Sequence, residues 1–261
     1  MPLLETIGSA SIKGYGSGSE VSRLPLFQSS NLMFFTDPAT FSSGDTIYDL
    51  SGNGYHHSLT NVAKATINGA PCLNLVKVGT SSPADNRRMW VDTTVRSSFQ
   101  YSTSHTLLAW AWMNPKSSQT SDWRTLWRAI PDDHALLVRY DDNFIGYYDN
   151  TNDRTSLSQT GNPGTAFTQY GSANANSYEG NWRLYVITGS GSYTGTSTLF
   201  IDASSIGTVS RTMANQTHLD VGTAGDTQQF GYIGEVAVYN RILSGSEITA
   251  IYNSTKARYG K

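Results

Sequence analysis

Short apolar runs alternate with polar, turn-forming residues from Arg23 to the C-terminal region. Runs of a few residues, separated by Gly, Asn, Asp, Ser and Pro, are typical of the strands of a β-sandwich. The clearest runs lie at 31–35, 106–113, 136–140, 144–148, 184–188, 198–201, 206–210, 217–221 and 232–239. The pattern predicts one all-β domain over residues 23–261, built from two antiparallel sheets packed face to face.

The run 106–113 differs from the others because nearly every position is apolar. A strand with this pattern is covered on both faces, so we expect it at the centre of a sheet. It should end at Asn114, because Pro115 has no backbone N–H to donate to a neighbouring strand.

Two pairs of runs predict β-hairpins. The runs 136–140 and 144–148 flank an Asp-Asp-Asn sequence that favours a turn. The runs 184–188 and 198–201 flank a longer Gly- and Ser-rich stretch, which predicts a hairpin with a longer loop.

One segment near the C-terminus carries the start signals of a helix. Ser244 and Glu247 have the S-x-x-E spacing of a capping box, in which each residue satisfies a backbone N–H of the other. Leu243 and Ile248 stand where a hydrophobic staple would join them across the cap. The sequence therefore predicts one short helix after the last strand.

The apolar residues of this predicted helix lie on one side. Ile248, Ile251 and Tyr252 recur at helical spacing, so this face should pack onto the sandwich. Lys256 and Arg258 follow at the end of the segment, where the helix dipole favours positive charge.

Residues 1–22 are rich in Gly and Ser and contain few apolar side chains, so they cannot form a core of their own. We interpret them as an extended arm that precedes the domain, and a disordered tail is the alternative. In the first reading four apolar side chains would anchor the arm to a neighbouring protein. They are Leu3, Leu4, Ile7 and Ile12.

The charge of the chain narrows the set of partners. Charged residues make up 15% of the sequence, the net charge is −2, and no basic stripe is visible. We therefore expect no nucleic-acid partner, because such binding depends on attraction to phosphates.

No apolar run approaches the roughly 20 residues that span a bilayer, and the first eight residues lack the charged and apolar regions of a secretory signal. The single cysteine, Cys72, excludes an internal disulfide.

Four blocks of sequence resemble laminin-G/concanavalin-A-like jelly-roll domains. Residues 230–244 are similar to the family's closing strand and helix start, G-x-I-D-E-V-x-I-Y-N-R-x-L-S, and residues 49–61 to its D-x-S-G-N-G-N-H-G-T-L loop. Residues 106–115 resemble its S-x-x-A-W-x-x-P strand, and Asn181-Trp182 the start of a later strand. The blocks occur in family order, so the resemblance implies a concanavalin-A-like jelly roll.

The resemblance implies a calcium site as the best metal candidate. Asp49 and Asn53 lie in the matching loop and Glu235 on the closing strand, and such oxygens are the ligands that calcium prefers. Gly234 stands where the family has an Asp, which removes one oxygen ligand. The alternative is that Asp49 and Asn53 hold the turn through side-chain-to-backbone hydrogen bonds. We expect no other cofactor.

The family includes lectins, adhesion modules, glycosidase-like domains and viral surface proteins. Sugar rings stack on aromatic side chains, and six aromatic residues lie in or near polar, loop-like sequence, although most aromatic residues of a sandwich belong to its core. The candidates for glycan binding are Trp123, Trp127, Tyr147, Tyr148, Tyr170 and Tyr178.

Catalytic patterns are missing from the sequence. Retaining glycosidases need two carboxylates about 5 Å apart, and glucanases with the jelly-roll fold place them on one strand as E-x-D-x-x-E. None of the glutamates, at 5, 20, 179, 235 and 247, has an Asp two residues later. No H-E-x-x-H, Gly-x-Ser-x-Gly or phosphate-loop motif occurs. We therefore expect a protein that is not an enzyme.

The start of the chain, residues 3–9 followed by Gly-rich sequence, resembles the start of many tailed-phage virion proteins. This resemblance implies a structural protein on the surface of a virion, as capsid decoration or attached to a fibre or tail. Its partners would be other virion proteins, held through the arm, and host surface polysaccharide. A carbohydrate-binding adhesion module and a polysaccharide-degrading enzyme are the alternatives, and a homo-oligomer is left open.

Overall fold

The computed structural model describes residues 31–76, 87–92, 104–115, 124–130, 133–138, 145–149, 167–168, 178–190, 195–209, 212–213, 218–222 and 228–261. Within these ranges the strands form two eight-stranded sheets, and each pairing between named strands is antiparallel. The predicted sandwich of two antiparallel sheets, with one short C-terminal helix, is confirmed.

Sheet I has the run 106–113 at its centre, as the sequence predicts. Its strands in spatial order are β14 (Ser204–Val209), β13 (Thr196–Ile201), β12 (Trp182–Ser190), β7 (Ser104–Met113), β16 (Gly231–Tyr239), β5 (Ala70–Asn74) and β4 (Ala63–Ile67). On its edge away from β7, β16 pairs with two strands along its length. β5 pairs with its residues Tyr232 and Ile233, and β1 (Leu32–Thr36) pairs with its later residues, Val236 to Tyr239. The predicted hairpin of β12 and β13 is confirmed by their antiparallel register.

Sheet II faces the other side of the core. Its strands in spatial order are β11 (Phe167–Thr168), β10 (Ile145–Asp149), β9 (Asp133–Val138), β8 (Arg124–Ile130), β15 (His218–Val221), β6 (Arg88–Asp92), β3 (His57–Thr60) and β2 (Thr46–Ile47). The predicted hairpin of β9 and β10 is confirmed. Leu136 is the extra residue of a β-bulge in β9, with a left-handed φ of 55°.

The main core lies between the two sheets. Sheet I contributes side chains such as Leu107 and Val236, and sheet II contributes Met89 and Leu219, all 0% exposed. Removal of this apolar surface from water is the main force that holds the sheets together.

A second core covers the outer face of sheet I. It is formed by α1 (Gly245–Thr255) and a 3-10 segment (Lys256–Tyr259), which pack onto β7, β12 and β16. Trp110 of β7 stacks on Tyr259 with ring centroids 4.3 Å apart, and Ile248 and Ile251 are buried beside them. β7 therefore has apolar partners on both faces, which explains its continuous apolar run.

The start of α1 agrees with the sequence. The Ser244 side chain accepts a hydrogen bond from the Glu247 backbone, and the Glu247 side chain accepts one from the Ser244 backbone. Leu243 and Ile248 are both buried in the second core. The end differs, because α1 stops at Thr255, Lys256 and Arg258 lie in the 3-10 segment that follows, and Arg258 forms an ion pair with Asp37.

Candidate functional site

The outer face of sheet II carries polar and aromatic side chains at alternate strand positions. In β6, Met89 and Val91 point into the core, so Arg88 and Trp90 point outward. In β15, Leu219 and Val221 are core residues, while His218 and Asp220 alternate with them. Because the side chains of a strand alternate between its two faces, these four outward residues share one surface.

The strand register brings these outward residues into one row. Trp90 lies opposite Asp220, and Asp220 lies opposite Arg128 of β8 on its other side. The row continues to Ser58 of β3 in one direction and to His134 of β9 in the other. We call Arg88, Trp90, Arg128, His218 and Asp220 the Asp220 cluster.

Asp220 is the buried centre of this cluster. Its side chain is 0% exposed and pairs with Arg88, whose Nε donates to Oδ1 at 2.9 Å and whose Nη2 lies 2.7 Å from the same oxygen. Burial raises the pKa of Asp220, and the hydrogen bond from Arg88 opposes this shift. The second oxygen, Oδ2, is buried and accepts no hydrogen bond from any described residue. Asp220 is therefore closed to solvent, and its role is to fix the orientation of Arg88.

Trp90 supplies an aromatic surface beside this carboxylate. It is partly exposed, with the guanidinium of Arg88 4.7 Å from its ring centroid and the His218 ring 5.0 Å away. Arg88, Arg128 and His218 are also partly exposed. The cluster thus combines a partly exposed aromatic ring with partly exposed cationic donors, held from below by a buried carboxylate.

His134 borders the cluster as a neutral group. It is 4% exposed, and its Nδ1 lies 3.2 Å from the Thr125 hydroxyl. Burial is the larger cause and repulsion from Arg128 the smaller cause of a lowered pKa for His134, about 3. The ring is therefore uncharged at neutral pH and adds hydrogen-bonding capacity without charge.

Two of the aromatic residues predicted to bind glycans are core residues, so that prediction is wrong for them. Trp127 and Tyr147 are 0% exposed and belong to the core between the sheets, because β8 and β10 turn these side chains inward. Tyr178 is partly buried against the same core, with the Arg183 guanidinium 5.2 Å from its ring centroid.

The remaining predicted binding residues are not described. Trp123 and Tyr170 lie outside the described residues, as does the side chain of Tyr148, whose backbone belongs to β10. The arm residues also lie outside the described residues; these are Leu3, Leu4, Ile7 and Ile12.

Asp49 holds its loop through hydrogen bonds, as the alternative to the calcium site requires. Its Oδ1 accepts from the backbone N–H groups of Phe35 and Ser51, at 3.1 and 2.8 Å. Its Oδ2 accepts from the Tyr55 backbone at 3.0 Å and from the Ser51 hydroxyl at 2.8 Å. The Asn53 side chain donates to the carbonyls of Leu32 and Met33. The loop thereby covers the free edge of β1.

Glu235 lies in a different polar group from Asp49. Arg258 Nη1 donates to Glu235 Oε1 at 2.5 Å and to Asp37 Oδ2 at 2.6 Å, and the Tyr259 hydroxyl accepts from the Glu235 backbone. Glu235 is 0% exposed and Asp37 is 5% exposed. Within the described ranges no group of three or more His, Cys, Asp or Glu side chains is placed to hold a metal ion. Asp49 and Glu235 thus have separate hydrogen-bond partners, and the calcium site stays a prediction.

The sequence prediction missed the Asp220 cluster, although its signal is present. Arg88-Met89-Trp90-Val91 and His218-Leu219-Asp220-Val221 alternate between polar or aromatic and apolar residues. Such alternation marks a strand with one solvent-facing side, and a Trp on that side is unusual.

Comparison with known proteins shows the fold. No protein-family model matches the chain, and no curated protein matches it in sequence. Among solved structures, a botulinum neurotoxin type C, described as dependent on two ganglioside molecules to enter cells, has a TM-score of 0.58 and 14% identity, over 86% of this chain and 51% of that one. The binding domain of Paraclostridial Mosquitocidal Protein 1 has a TM-score of 0.56 and 19% identity, over 86% and 52%.

A third similar structure is the sialidase of Trypanosoma rangeli in complex with sialic acid. It has a TM-score of 0.59 and 13% identity, over 90% of this chain and 35% of that one. The chain thus spans about half the length of the first two proteins and about a third of the sialidase. At these identities the likeness shows a shared β-sandwich fold, which by itself does not determine function. No described helix is long and apolar enough to cross a membrane.

Proposed function

We propose that the chain is a non-catalytic carbohydrate-binding protein whose site is the outer face of sheet II. The observation that carries the proposal is the Asp220 cluster, in which Trp90 stands beside a buried carboxylate and two arginines. A sugar ring has an apolar face of C–H groups and an edge of hydroxyl groups. It therefore needs an aromatic surface together with fixed donors and acceptors.

Each member of the cluster has a role in this proposal. Trp90 is the platform for the apolar face of a pyranose ring. The partly exposed Arg88 and Arg128 donate to ring-edge oxygens, and the buried Asp220 holds Arg88 in place for this contact. Hydrogen bonds to charged groups are stronger than neutral ones, so few contacts suffice for a weak, specific site.

Two further observations support the proposal. α1 and the 3-10 segment cover the outer face of sheet I with apolar side chains. The outer face of sheet II instead has partly exposed polar and aromatic side chains in the Asp220 cluster. The similar structures include proteins described with gangliosides and with sialic acid. These ligands are glycans, so the likeness is compatible with the proposal, which depends on the Asp220 cluster and not on the shared fold.

We also propose that the chain does not hydrolyse glycosides. In the described ranges Asp37 and Glu235 are brought close together, but both are buried and bound to Arg258. Neither is free to act as an acid or a nucleophile. Incubation with bacterial capsular and algal polysaccharides, followed by assays for reducing ends and unsaturated products, tests this point. Product formation would favour the polysaccharide-degrading alternative.

We also propose a setting for the domain, which is the surface of a phage virion, with the arm as its anchor. The support is in the sequence, since residues 1–22 are poor in apolar residues and resemble the start of phage virion proteins. Deletion of residues 1–22 should abolish incorporation into particles and leave the melting temperature unchanged. Normal incorporation of the truncated protein would reject the anchoring role.

The direct test of the binding proposal is a glycan array followed by titration of each positive glycan. The Trp90→Ala variant should lose binding, because it removes the stacking surface. Tyr48→Ala is the matched control, since Tyr48 is a 50% exposed aromatic residue whose ring contacts His56 rather than the Asp220 cluster. Absence of any bound glycan, or equal binding by Trp90→Ala and the wild type, would contradict the proposal.

A further inference from the structure

Arg88 is held in a fixed orientation by a buried partner. Its Nε and Nη2 nitrogens both face Asp220 Oδ1, at 2.9 and 2.7 Å. Asp220 is 0% exposed, whereas the Arg88 side chain keeps 22% exposure. The edge of the guanidinium that holds Nε and Nη2 is therefore turned inward, and Nη1 is the nitrogen directed away from the carboxylate.

The guanidinium is also held from the side. It lies 4.7 Å from the centroid of Trp90, a cation–π contact that restricts its rotation. An arginine restrained in this way loses little further entropy when it binds a ligand, so it is a good recognition group for a planar anion.

A second arginine stands across the same carboxylate. Arg128 is the register partner of Asp220 on β8, and Arg88 comes from β6 on the other side of β15. Both arginines act on Asp220 electrostatically, as expected for charges within a few ångströms. One buried carboxylate thus has two cationic neighbours, and the partly exposed groups around Trp90 are cationic rather than anionic among the described side chains.

We infer that the site selects sugars that carry a carboxylate, with Arg88 as the specificity-determining residue. This inference rests on the proposed carbohydrate-binding function. The sugar ring would stack on Trp90, and its carboxylate would meet the guanidinium of Arg88, which the buried Asp220 holds in place. The shared chemistry is a pyranose ring with a carboxylate, which occurs both in terminal sialic acids and in uronic-acid polysaccharides.

Calorimetric titration with matched acidic and neutral sugars tests the inference. The probes are 3′-sialyllactose against lactose, and trigalacturonic acid against its methyl ester. At least one acidic probe should bind about tenfold more tightly than its neutral counterpart, since a charge-assisted contact is stronger than a neutral one. The preference should weaken as salt is added. The acidic probe that binds identifies the source, and binding of either one supports the inference.

Arg88→Gln should weaken binding of the acidic probe more than that of the neutral sugar, so that the two bind with similar affinity. Arg241→Gln is the matched control, because Arg241 has a similar exposure, 23%, and also pairs with a carboxylate, Glu247, but it lies beside α1. Since Arg88→Gln leaves Asp220 buried without its partner, the double variant Arg88→Gln/Asp220→Asn keeps the test valid if the single variant is unstable.

The outcomes separate the inference from the proposed function. Equal affinity for acidic and neutral sugars in the wild type, with loss of both in Trp90→Ala, would overturn the inference and leave carbohydrate binding intact. A preference for acidic sugars that survives in both Arg88 variants would also overturn it. Failure to bind any sugar would remove the proposed function and the inference with it.

Discussion

Arg258 and Asp37 stand 221 positions apart in the sequence and are joined by two hydrogen bonds, Nη1 to Oδ2 at 2.6 Å and Nη2 to Oδ1 at 2.7 Å. Arg258 also donates to Glu235 on β16. Asp37 in turn accepts from the Ala39 backbone and so caps the 3-10 turn that follows β1. One guanidinium therefore ties the C-terminal segment to the beginning and to the centre of sheet I.

Replacement of Arg258 by Met should lower the free energy of unfolding by about 3–5 kcal/mol. The reason is that Glu235, at 0% exposure, and Asp37, at 5%, would be left buried without their cation. Urea denaturation followed by circular dichroism measures the change. The control is Arg241→Met, which breaks a more exposed pair with Glu247 and should cost less than about 1 kcal/mol. An equal loss of unfolding free energy in the two variants would show that the buried ion pairs of Arg258 stabilise the protein no more than the exposed pair of Arg241.

Thr255→Val should destabilise the packing of α1 on sheet I by about 1–3 kcal/mol. The Thr255 hydroxyl accepts from Trp110 Nε1 at 2.8 Å, and Trp110 is 0% exposed, so valine would leave a buried N–H unsatisfied without changing the volume. Thr249→Val is the control, because Thr249 is exposed and its hydroxyl donates only to its own helix. A loss below about 0.5 kcal/mol for Thr255→Val, as for a surface change, would contradict the account.

The capping box gives a pH-dependent contribution to stability. Hydrogen bonds from Arg241 and then from the Ser244 backbone lower the pKa of Glu247 from 4.5 to about 2. Because the pKa is lower in the folded state, this contribution is present above about pH 4.5 and is lost as the pH falls toward 2. The Glu247 side chain is 39% exposed, so solvent screening should limit this contribution to less than about 1 kcal/mol. Urea unfolding between these pH values should show a smaller decline for Glu247→Gln than for the wild type, and identical declines would exclude the effect.

Calcium should not act through Asp49. Both carboxylate oxygens already accept hydrogen bonds from Phe35, Ser51 and Tyr55. Millimolar calcium, compared with a chelator, should therefore change the melting temperature of the wild type and of Asp49→Asn equally. Asp49→Asn itself should be less stable by about 1–3 kcal/mol, because one acceptor oxygen becomes a donor. A calcium-dependent rise that only the wild type shows would restore the metal site.

Much of sheet I could be predicted from the sequence because its residues carry strong local signals. β7 is apolar on both faces, and the capping box of Ser244 and Glu247 fixes the start of α1. β4 was not predicted, since it is an edge strand with largely exposed residues, and its alternation, Ala-Lys-Ala-Thr-Ile, depends on two small alanines and is a weak signal. Its position depends on pairing with β5, which is tertiary information that a local pattern does not contain.

The candidate site was harder to predict, for the same physical reason. Trp127 has a polar neighbour in Arg128 and looks like a surface aromatic residue, but β8 turns its side chain into the core and Arg128 outward. Trp90 lies in an alternating segment that would have identified it. Its partner Asp220 lies 130 positions later in the sequence and Arg128 lies 38 positions later (220 − 90 and 128 − 90). The three residues come together through the register of β6, β15 and β8.

Sugar binding against Trp90, on the outer face of sheet II, can be tested directly by nuclear magnetic resonance. The indole N–H groups of the six tryptophans give separate signals for this purpose. A proton–nitrogen correlation spectrum, assigned with single Trp→Phe variants, is recorded during titration with a glycan that the array identifies. We predict that the Trp90 indole signal shifts with the sugar concentration, while those of the buried Trp110, Trp127 and Trp182 stay in place. A titration in which the Trp90 signal does not move, while the sugar binds, would contradict the account.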